Sequence, residues 1–521
     1  MPRNGLMASL SRSGTATHFR LPWIIVLVVL VAYHNSLNGA FLFDDYSCIV
    51  DNLQLRSVWT SWRAPAPDVA LAGRPVAAIT FGLNYAIHGL DVRGYHLVNL
   101  LLHLCNALLL WGIVRRTLRS ARLRHLSEAE SYGLATAVAW LWAVHPLLTE
   151  SVDYLVQRTE LLVAACLLGM LYAVIRAATS ARPGRWAGAA IGCGLLGAGS
   201  KELIVVAPLI VLLYDRVFLS GSWRAALRLR RGLYLGLTLT WAIVALLALT
   251  GPRLRTVGFQ QSHMAPWAYA LTQCGVILHY LRLALWPSPL VVDYADWPIA
   301  ARLAEVWLQA AFIGGLLGIT VWALRRRPML GFLGAWVWII LAPTSSVIPI
   351  ITEVAAERRM YLPLAGLVTL GVVAGWRLLS RSIWRPTIQQ ALGVAMVLGL
   401  SSVYLTLTLQ RHVVYRSERT MLEDVIAKRP GNERAYYNLG LALVEAGEDE
   451  AAIERLQQAV HISPADAWAH NNLGVLLARR HHWDEAAAHY TEAIRLNPWL
   501  TEPRDNLQQL LAMQGPPPES R

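Results

Sequence analysis

Two carboxylates stand side by side in "GAFLFDDYSCIVDN", residues 39–52, directly after the first long apolar run. Asp44 and Asp45 are framed there by Phe41, Phe43 and Tyr46. A carboxylate at a membrane surface can take the proton of an attacking hydroxyl. The plain alternative is a solvated loop just outside the bilayer. Ionisable residues recur where other apolar runs end. "AGRPVAAITFGLNY" carries Arg74, and "GYHLVNLLLH" carries His96, Asn99 and His103 at spacings of three and four, one face of a helix. "AVHPLLTESVDYLVQRTELL" supplies His145, Glu150, Arg158 and Glu160. "SKE" supplies Lys201 and Glu202, and "TEVAAERRMYLP" supplies Glu353, Glu357, Arg358 and Arg359. Such groups at a membrane boundary are functional candidates by default. Each also has a structural reading: packed helix histidines at 96 and 103, a solvated turn at Glu160, a local pair at Lys201–Glu202. A divalent metal stays open, since no spacing among these residues is diagnostic of one, and no residue is assigned as a ligand.

Cations and an acid pair on one side of a membrane suggest a single chemistry. A polyprenyl phosphate-linked sugar presents its phosphate at the interface. A carboxylate deprotonates an acceptor hydroxyl as it attacks the anomeric carbon. Lysine and arginine stabilise the departing phosphate. The leaving group is a monophosphate, so the reaction needs no bound cofactor; the lipid-linked sugar is a substrate.

Positioning these residues is the work of a membrane domain. Of 521 residues, 55% are hydrophobic and 15% charged, where soluble domains carry about a quarter charged. The net charge of +13 fits cytoplasmic loops of a membrane protein and not nucleic-acid binding. Five scattered cysteines support neither a disulfide framework nor a zinc site. Apolar runs near 21–37, 95–114, 131–147, 158–177, 186–199, 203–219, 232–250, 304–324, 329–348, 360–379 and 388–408 predict about eleven transmembrane helices, the first retained and not cleaved. Arginine clusters beginning at Arg115, Arg176, Arg216, Arg325 and Arg377 follow every second run and place those loops, with the N-terminus, inside. The stretch 267–286 carries Gln273, His279 and Arg282 and is expected to lie at the outer surface. The long loop 38–94 and the C-terminus are then outside.

The composition changes near residue 412, giving a membrane domain over 1–411 and a second domain over 412–521. "PGNERAYYNLGLALVEAGEDEAAIERLQQAVHIS" (430–463) and "PADAWAHNNLGVLLARRHHWDEAAAHYTEAIRLN" (464–497) repeat with a period of 34 residues. Pro498 opens a third, incomplete unit. The pattern resembles the tetratricopeptide repeat, a stacked helical hairpin. Leu439 and Gly440 permit close helix approach, and Ala452 and Ala486 serve the second helix of each pair. Residues 413–429 are expected to add a preceding helix and 499–514 a capping one. Such arrays bind peptides or proteins; a structural lid is the alternative.

In order along the chain, "FLFDDYSCIVDN", "GRPVAAITF", "YHLVNLLLH", "AVHPLLTESV", "SKE", "LALWPSPLVVDY" and "AAERRMYLPLAGL", followed by the repeats, resemble the TMTC family of O-mannosyltransferases within the GT-C glycosyltransferases. The resemblance implies an all-α, GT-C-like membrane domain followed by a short α-solenoid. It implies inverting transfer of mannose from a polyprenyl phosphate to serine or threonine hydroxyls of proteins. On it, Asp44 is the candidate base with Asp45 its neighbour, and His145, Glu150, Lys201, Glu202, Glu357 and Arg358 join Arg74 and His96 in the pocket. The Arg-, Ala- and Leu-rich composition points to a bacterial inner-membrane protein with an undecaprenyl carrier and a periplasmic active face, or an endoplasmic-reticulum protein if eukaryotic. A GT-C enzyme acting on a lipid or glycan, a membrane-anchored repeat scaffold and a transporter are the competing readings.

Overall fold

The computed structural model describes residues 21–63, 70–120, 123, 126–250, 264–346, 349–350 and 353–514. The basic residues before 21, and Arg122 and Arg124 of the first arginine cluster, lie outside that set. The chain divides into two compact units: Met1–Leu290 with Ile299–Tyr415, and Val291–Pro298 with Arg416–Arg521.

The regular secondary structure described in the first unit is helical. Its helices are α1 (Leu21–Tyr33), α2 (Pro75–His88), α3 (Val92–Leu118), α4 (Glu128–Ala143), α5 (Thr149–Asp153), α6 (Arg158–Ala177), α7 (Pro183–Ala198), α8 (Ala207–Tyr214), α9 (Trp223–Leu229), α10 (Arg231–Thr250), α11 (Pro266–Leu285), α12 (Leu303–Arg326), α13 (Pro328–Leu341), α14 (Pro363–Ser380) and α15 (Pro386–His412). Six of them open on proline, whose missing N–H is one of the unsatisfied donors of a first turn in any case. α4 instead opens on a capping box, Ser127 with Glu130.

Each predicted run contains a helix, but not every one is long enough to cross a membrane by itself. Among the described residues, seven helices are long and apolar enough to cross a membrane: Val92–Leu118, Leu155–Ala177, Glu202–Ser220, Arg231–Leu249, Leu303–Arg326, Pro363–Ser380 and Pro386–Arg416. The other four fall short. α4 and α7 have 16 residues each, or about 24 Å at 1.5 Å per residue, against a hydrocarbon core of about 30 Å. α13 has 14 residues and α1 has 13, extended by a 3₁₀ turn to Asn38. α11 is not among the seven. Its inner face is built into the protein: Gln273 donates to the Val354 carbonyl at 3.0 Å, and the Tyr280 hydroxyl accepts the Ala356 N–H at 2.7 Å.

Arg158, at the start of α6, ties three helices together and is fully buried. Its Nε donates to Asn99 Oδ1 and its Nη2 to Asn84 Oδ1, both at 2.8 Å. It also reaches the carbonyls of Thr80 and Tyr95, and lies 4.1 Å over the Phe81 ring. Neutral oxygens and an aromatic face thus satisfy a cation that burial alone would penalise.

The second unit holds α16 (Glu418–Lys428), α17 (Glu433–Glu445), α18 (Asp449–Ile462), α19 (Ala467–Arg479), α20 (Trp483–Leu496) and α21 (Glu502–Gln514). α17 with α18 and α19 with α20 are the two repeats. Equivalent residues 34 apart cap their first helices: Asn432 accepts the Ala435 N–H, and Asp466 those of Trp468 and Ala469. A Cβ on Gly440 would stand 2.7 Å from Leu456, and one on Gly474 2.8 Å from Tyr490. Only glycine lets the hairpin helices pack this closely. Ala452 and Ala486 are fully buried opposite.

The eight residues Val291–Pro298, between α11 and α12, belong to this unit. Asp293 takes a two-pronged ion pair from Arg434, with Nε at 2.8 Å, and Asp296 pairs with Arg429. The Arg429 guanidinium also lies 5.1 Å from the Tyr294 ring and 5.6 Å from Trp297. Asn432 donates to the Asp293 carbonyl at 3.3 Å.

Candidate functional site

The acid pair splits into two different environments. Asp45 is fully buried; its carboxylate accepts the Leu42 N–H at 3.0 Å and the Val156 N–H at 2.8 Å. It staples the turn to the segment before α6, and burial pushes its carboxyl up to about 8 despite those two donors. Asp44 is exposed. Its backbone N–H donates to the Tyr154 hydroxyl at 3.2 Å. Phe43 just before it holds φ +43°, a left-handed conformation that costs a bulky residue about 1–3 kcal/mol. Strain in the residue that presents an exposed carboxylate marks a turn held in place by its surroundings.

Beside this turn lies a set of ion pairs drawn from distant segments. Glu150, on α5, is fully buried; Oε1 accepts from Arg358 Nη1 at 2.5 Å and Oε2 from the Arg358 N–H at 2.8 Å. Arg358 also pairs with Glu353. Lys201, just before the helical turn at Glu202, pairs with Glu160 of α6. Arg74, at the start of α2, pairs with Glu202 at 3.2 Å. The set is electrostatically continuous. Lys201 feels the charges of Arg74 and Arg358, and the Tyr154 hydroxyl those of Asp44, Asp45 and Arg358. Burial pulls the Lys201 ammonium down to about 8, against the opposing pull of Glu160.

The carboxylates differ in exposure, and the difference sorts them. The Glu150 and Glu160 side chains are 0% and 6% exposed, while those of Glu202 and Glu353 are 45% and 38% exposed. Glu150 and Glu160 anchor the cations from within. Glu202 and Glu353 are the outward partners that an incoming anion would meet.

The remaining candidates make other contacts. His96 is buried with its ring against Gly39. His145 is buried and works as a cap, its Nδ1 accepting the Leu147 N–H at 3.2 Å. Glu357 is buried 3.7 Å from Arg411. Asp153 and Tyr154, in "ESVDY", did not enter the candidate set. Asp153 is buried between the Ser36 hydroxyl at 2.5 Å and His412 Nδ1 at 2.6 Å. An aspartate three residues after Glu150 in an apolar stretch was the available signal. Tyr154 carried none beyond its place in the motif. Among the described residues, no three His, Cys, Asp or Glu side chains gather as a metal set.

The fold and site define a helical membrane protein with a buried ion-pair cluster at the ends of its helices and a short repeat array at its C-terminus. Residues 441–480 match the family model for the TPR repeat, and 467–498 that for the tetratricopeptide repeat. The chain is homologous over most of its length to proteins named protein O-mannosyl-transferases. It is 28% identical to Tmtc3 of Drosophila melanogaster over 85% of this chain and 55% of that one. It is 28% identical to TMTC4 of Mus musculus over 83% and 65%, and 26% identical to TMTC3 of Homo sapiens over 85% and 51%. The chain therefore spans about half to two thirds of the length of these relatives. They are animal proteins and lend no support to a bacterial origin. Among solved structures, one from the APC/C hetero-tetramer Cut9-Hcn1 aligns over 90% of this chain and 96% of its own at 13% identity, but with a TM-score of 0.20 it carries no argument.

Proposed function

We propose that this protein transfers mannose from a polyprenyl phosphate to serine or threonine hydroxyls of proteins. The observation that carries the reading is an exposed Asp44 next to a cluster holding Arg74, Lys201 and Arg358. Homology to proteins named for that activity supports it. The acceptor oxygen attacks the anomeric carbon while Asp44 takes its proton. The bond from that carbon to the phosphate oxygen breaks, and the three cations stabilise the departing phosphate. In the resting cluster these three cations face four carboxylates. A phosphate therefore enters by taking the place of Glu202 and Glu353, the two outward partners, while Glu150 and Glu160 hold the cations in position. Asp45 shapes the turn and does not reach the substrate. The reaction as proposed uses no metal.

The same reading places the acid loop and the repeats together on the non-cytoplasmic face, with eleven crossings in which α1, α4, α7 and α13 join the seven longer helices. The repeats take the protein acceptor. The test is transfer by the purified full chain from radiolabelled polyprenyl phosphate mannose, with the product located by mass spectrometry of the acceptor. Transfer abolished by Asp44→Asn supports the reading. Transfer only to a lipid or glycan would remove the protein acceptor from it, and no transfer at all would end it.

A further inference from the structure

The same helices enclose a further cavity. A cavity of about 300 Å³ runs between α3, α4, α6, α8, α13 and α14. Its lining follows α14 from Ala365 to Ser380, sixteen residues or about 22 Å of helix. On α6 the lining residues Leu168 and Leu171 come two to three turns after Glu160. The cavity is thus separate from the ion-pair cluster and from Asp44. Its walls are almost wholly apolar, with Trp336 and Val373 among them. The polar groups gather at the end marked by Thr117, Glu130, Arg377 and Ser380.

Most of those polar groups are already engaged. Glu130 accepts the Ser127 N–H in its capping box, and the Thr117 and Tyr214 hydroxyls meet at 2.6 Å. Arg377 is exposed, and among the described residues no ion pair of it is found. Two more basic groups flank the same end in sequence: Arg325–Arg327 just before Met329, and Arg381 just after Ser380. The slot is therefore apolar along its length and cationic at one mouth. Its volume is at the lower end for a small-molecule site. Its length covers the hydrocarbon depth of one leaflet, about 15 Å.

We propose that this slot holds one acyl chain of an anionic glycerophospholipid, drawn from the leaflet at the Arg377 end, with its phosphate on Arg377. The chemistry matches: a single hydrocarbon chain for the walls and a monoanionic headgroup for the guanidinium. The proposal stands apart from the transferase reading, because the slot shares no residue with that site.

The test uses the full chain in nanodiscs with phosphatidylglycerol carrying a photoreactive group near the acyl terminus. Cross-links are mapped by mass spectrometry. The expected result is saturable labelling of 328–341 and 363–380, suppressed by excess unlabelled phosphatidylglycerol. A phosphatidylcholine probe should label these segments at least fivefold less. Val373→Trp, which fills the slot, should lower labelling several-fold, and Arg377→Gln should abolish the headgroup preference. The wild-type competition needs no variant, so a misfolded mutant does not spare the idea. Labelling that fails to saturate, or that is no stronger than on the outer faces of α15, overturns it. Stronger labelling by a polyprenyl phosphate probe also overturns it, and gives the slot to the sugar carrier.

Discussion

Arg358 and Glu150 lie 208 residues apart in sequence and both are buried. Arg419 and Glu423 lie four apart on α16, with half of each side chain in solvent. The same two residue types do different work in the two units. In the first, burial makes each charge depend on its partners, because an uncompensated buried charge is far costlier than an exposed one. That dependence brings segments 74, 150–160, 201–202 and 353–358 to one place. In the second, Arg419 and Glu423 decorate a helix surface, while the hairpins are held by Gly440, Leu456, Ala452 and their counterparts 34 residues on. What distinguishes a candidate site from a solvated face here is the sequence distance its ion pairs span while staying dry.

The comparison can be broken in several ways. The largest effect is expected at Asp44, which is exposed and yet strained into place. Asp44→Asn should lower transfer by about 10²–10⁴ with little change in melting temperature, since the side chain is exposed and the substitution keeps its size. An equal loss in a melting-matched Asp45→Asn protein would show that the buried member also acts in the chemistry. Next is Glu150→Ala. It strands Arg358 without its inner partner and should cost about 3–5 kcal/mol of stability, read by thermal unfolding in detergent. A change below 1 kcal/mol would mean that Glu353 alone holds the arginine.

In the repeats the sensitive positions should be those of close packing. Gly440→Val should destabilise the array by about 1–3 kcal/mol through overpacking, visible as faster hydrogen exchange in α17 and α18. A smaller gain is expected at His481. Gly447 turns from α17 to α18 at φ +77°, and the equivalent residue 34 positions on is His481 at φ +65°. His481→Gly should stabilise the array by about 1 kcal/mol by removing the left-handed penalty. Arg419→Gln should leave the melting curve unmoved. If it costs as much as Glu150→Ala, burial is not what separates the two units.

The pH dependence sharpens the same contrast. Lys201, pulled down to about 8, keeps its charge below that pH and loses it as pH rises. Donor binding should therefore weaken as pH rises through about 8. The buried Asp45 carboxyl ionises in the same range and would add a negative charge nearby, acting in the same direction. Lys201→Arg should move this limb to higher pH. A profile left unchanged would remove Lys201 from the phosphate site.

Much of this was legible because the signals were local. The 34-residue period, the proline helix starts and the apolar runs needed no tertiary information. So did the nomination of Asp44, Glu150, Lys201 and Arg358, each at the end of an apolar run. What was not legible was pairing. Lys201 and Glu202 look like one local pair, yet they face Glu160 and Arg74 respectively. "DD" looks like two equal acids, yet one turn buries Asp45 and exposes Asp44. His145, a pocket candidate by its motif, is buried and caps a turn. Each difference depends on which backbone groups pack against the side chain. Span length was illegible for a related reason: hydropathy marks apolar runs, but the folded helices begin and end at caps and prolines that trim several runs below membrane thickness.

The eight-residue segment Val291–Pro298 has a consequence for parity. Its aspartates pair with Arg429 and Arg434, so residues 298 and 416 share one side of the membrane. The chain between them must cross an even number of times. Three helices of that stretch are long enough to cross: α12, α14 and α15. Either the 14-residue α13 crosses with them or one of the three does not. The Ala40 N–H donates to the Tyr415 carbonyl at 3.2 Å, which sets the same condition on the whole stretch from 40 to 415. All seven long helices lie there, and seven is odd. Adding α13 satisfies both conditions at once. With the long helices and α13 all crossing and α11 at the surface, the short α4 and α7 would cross together or not at all.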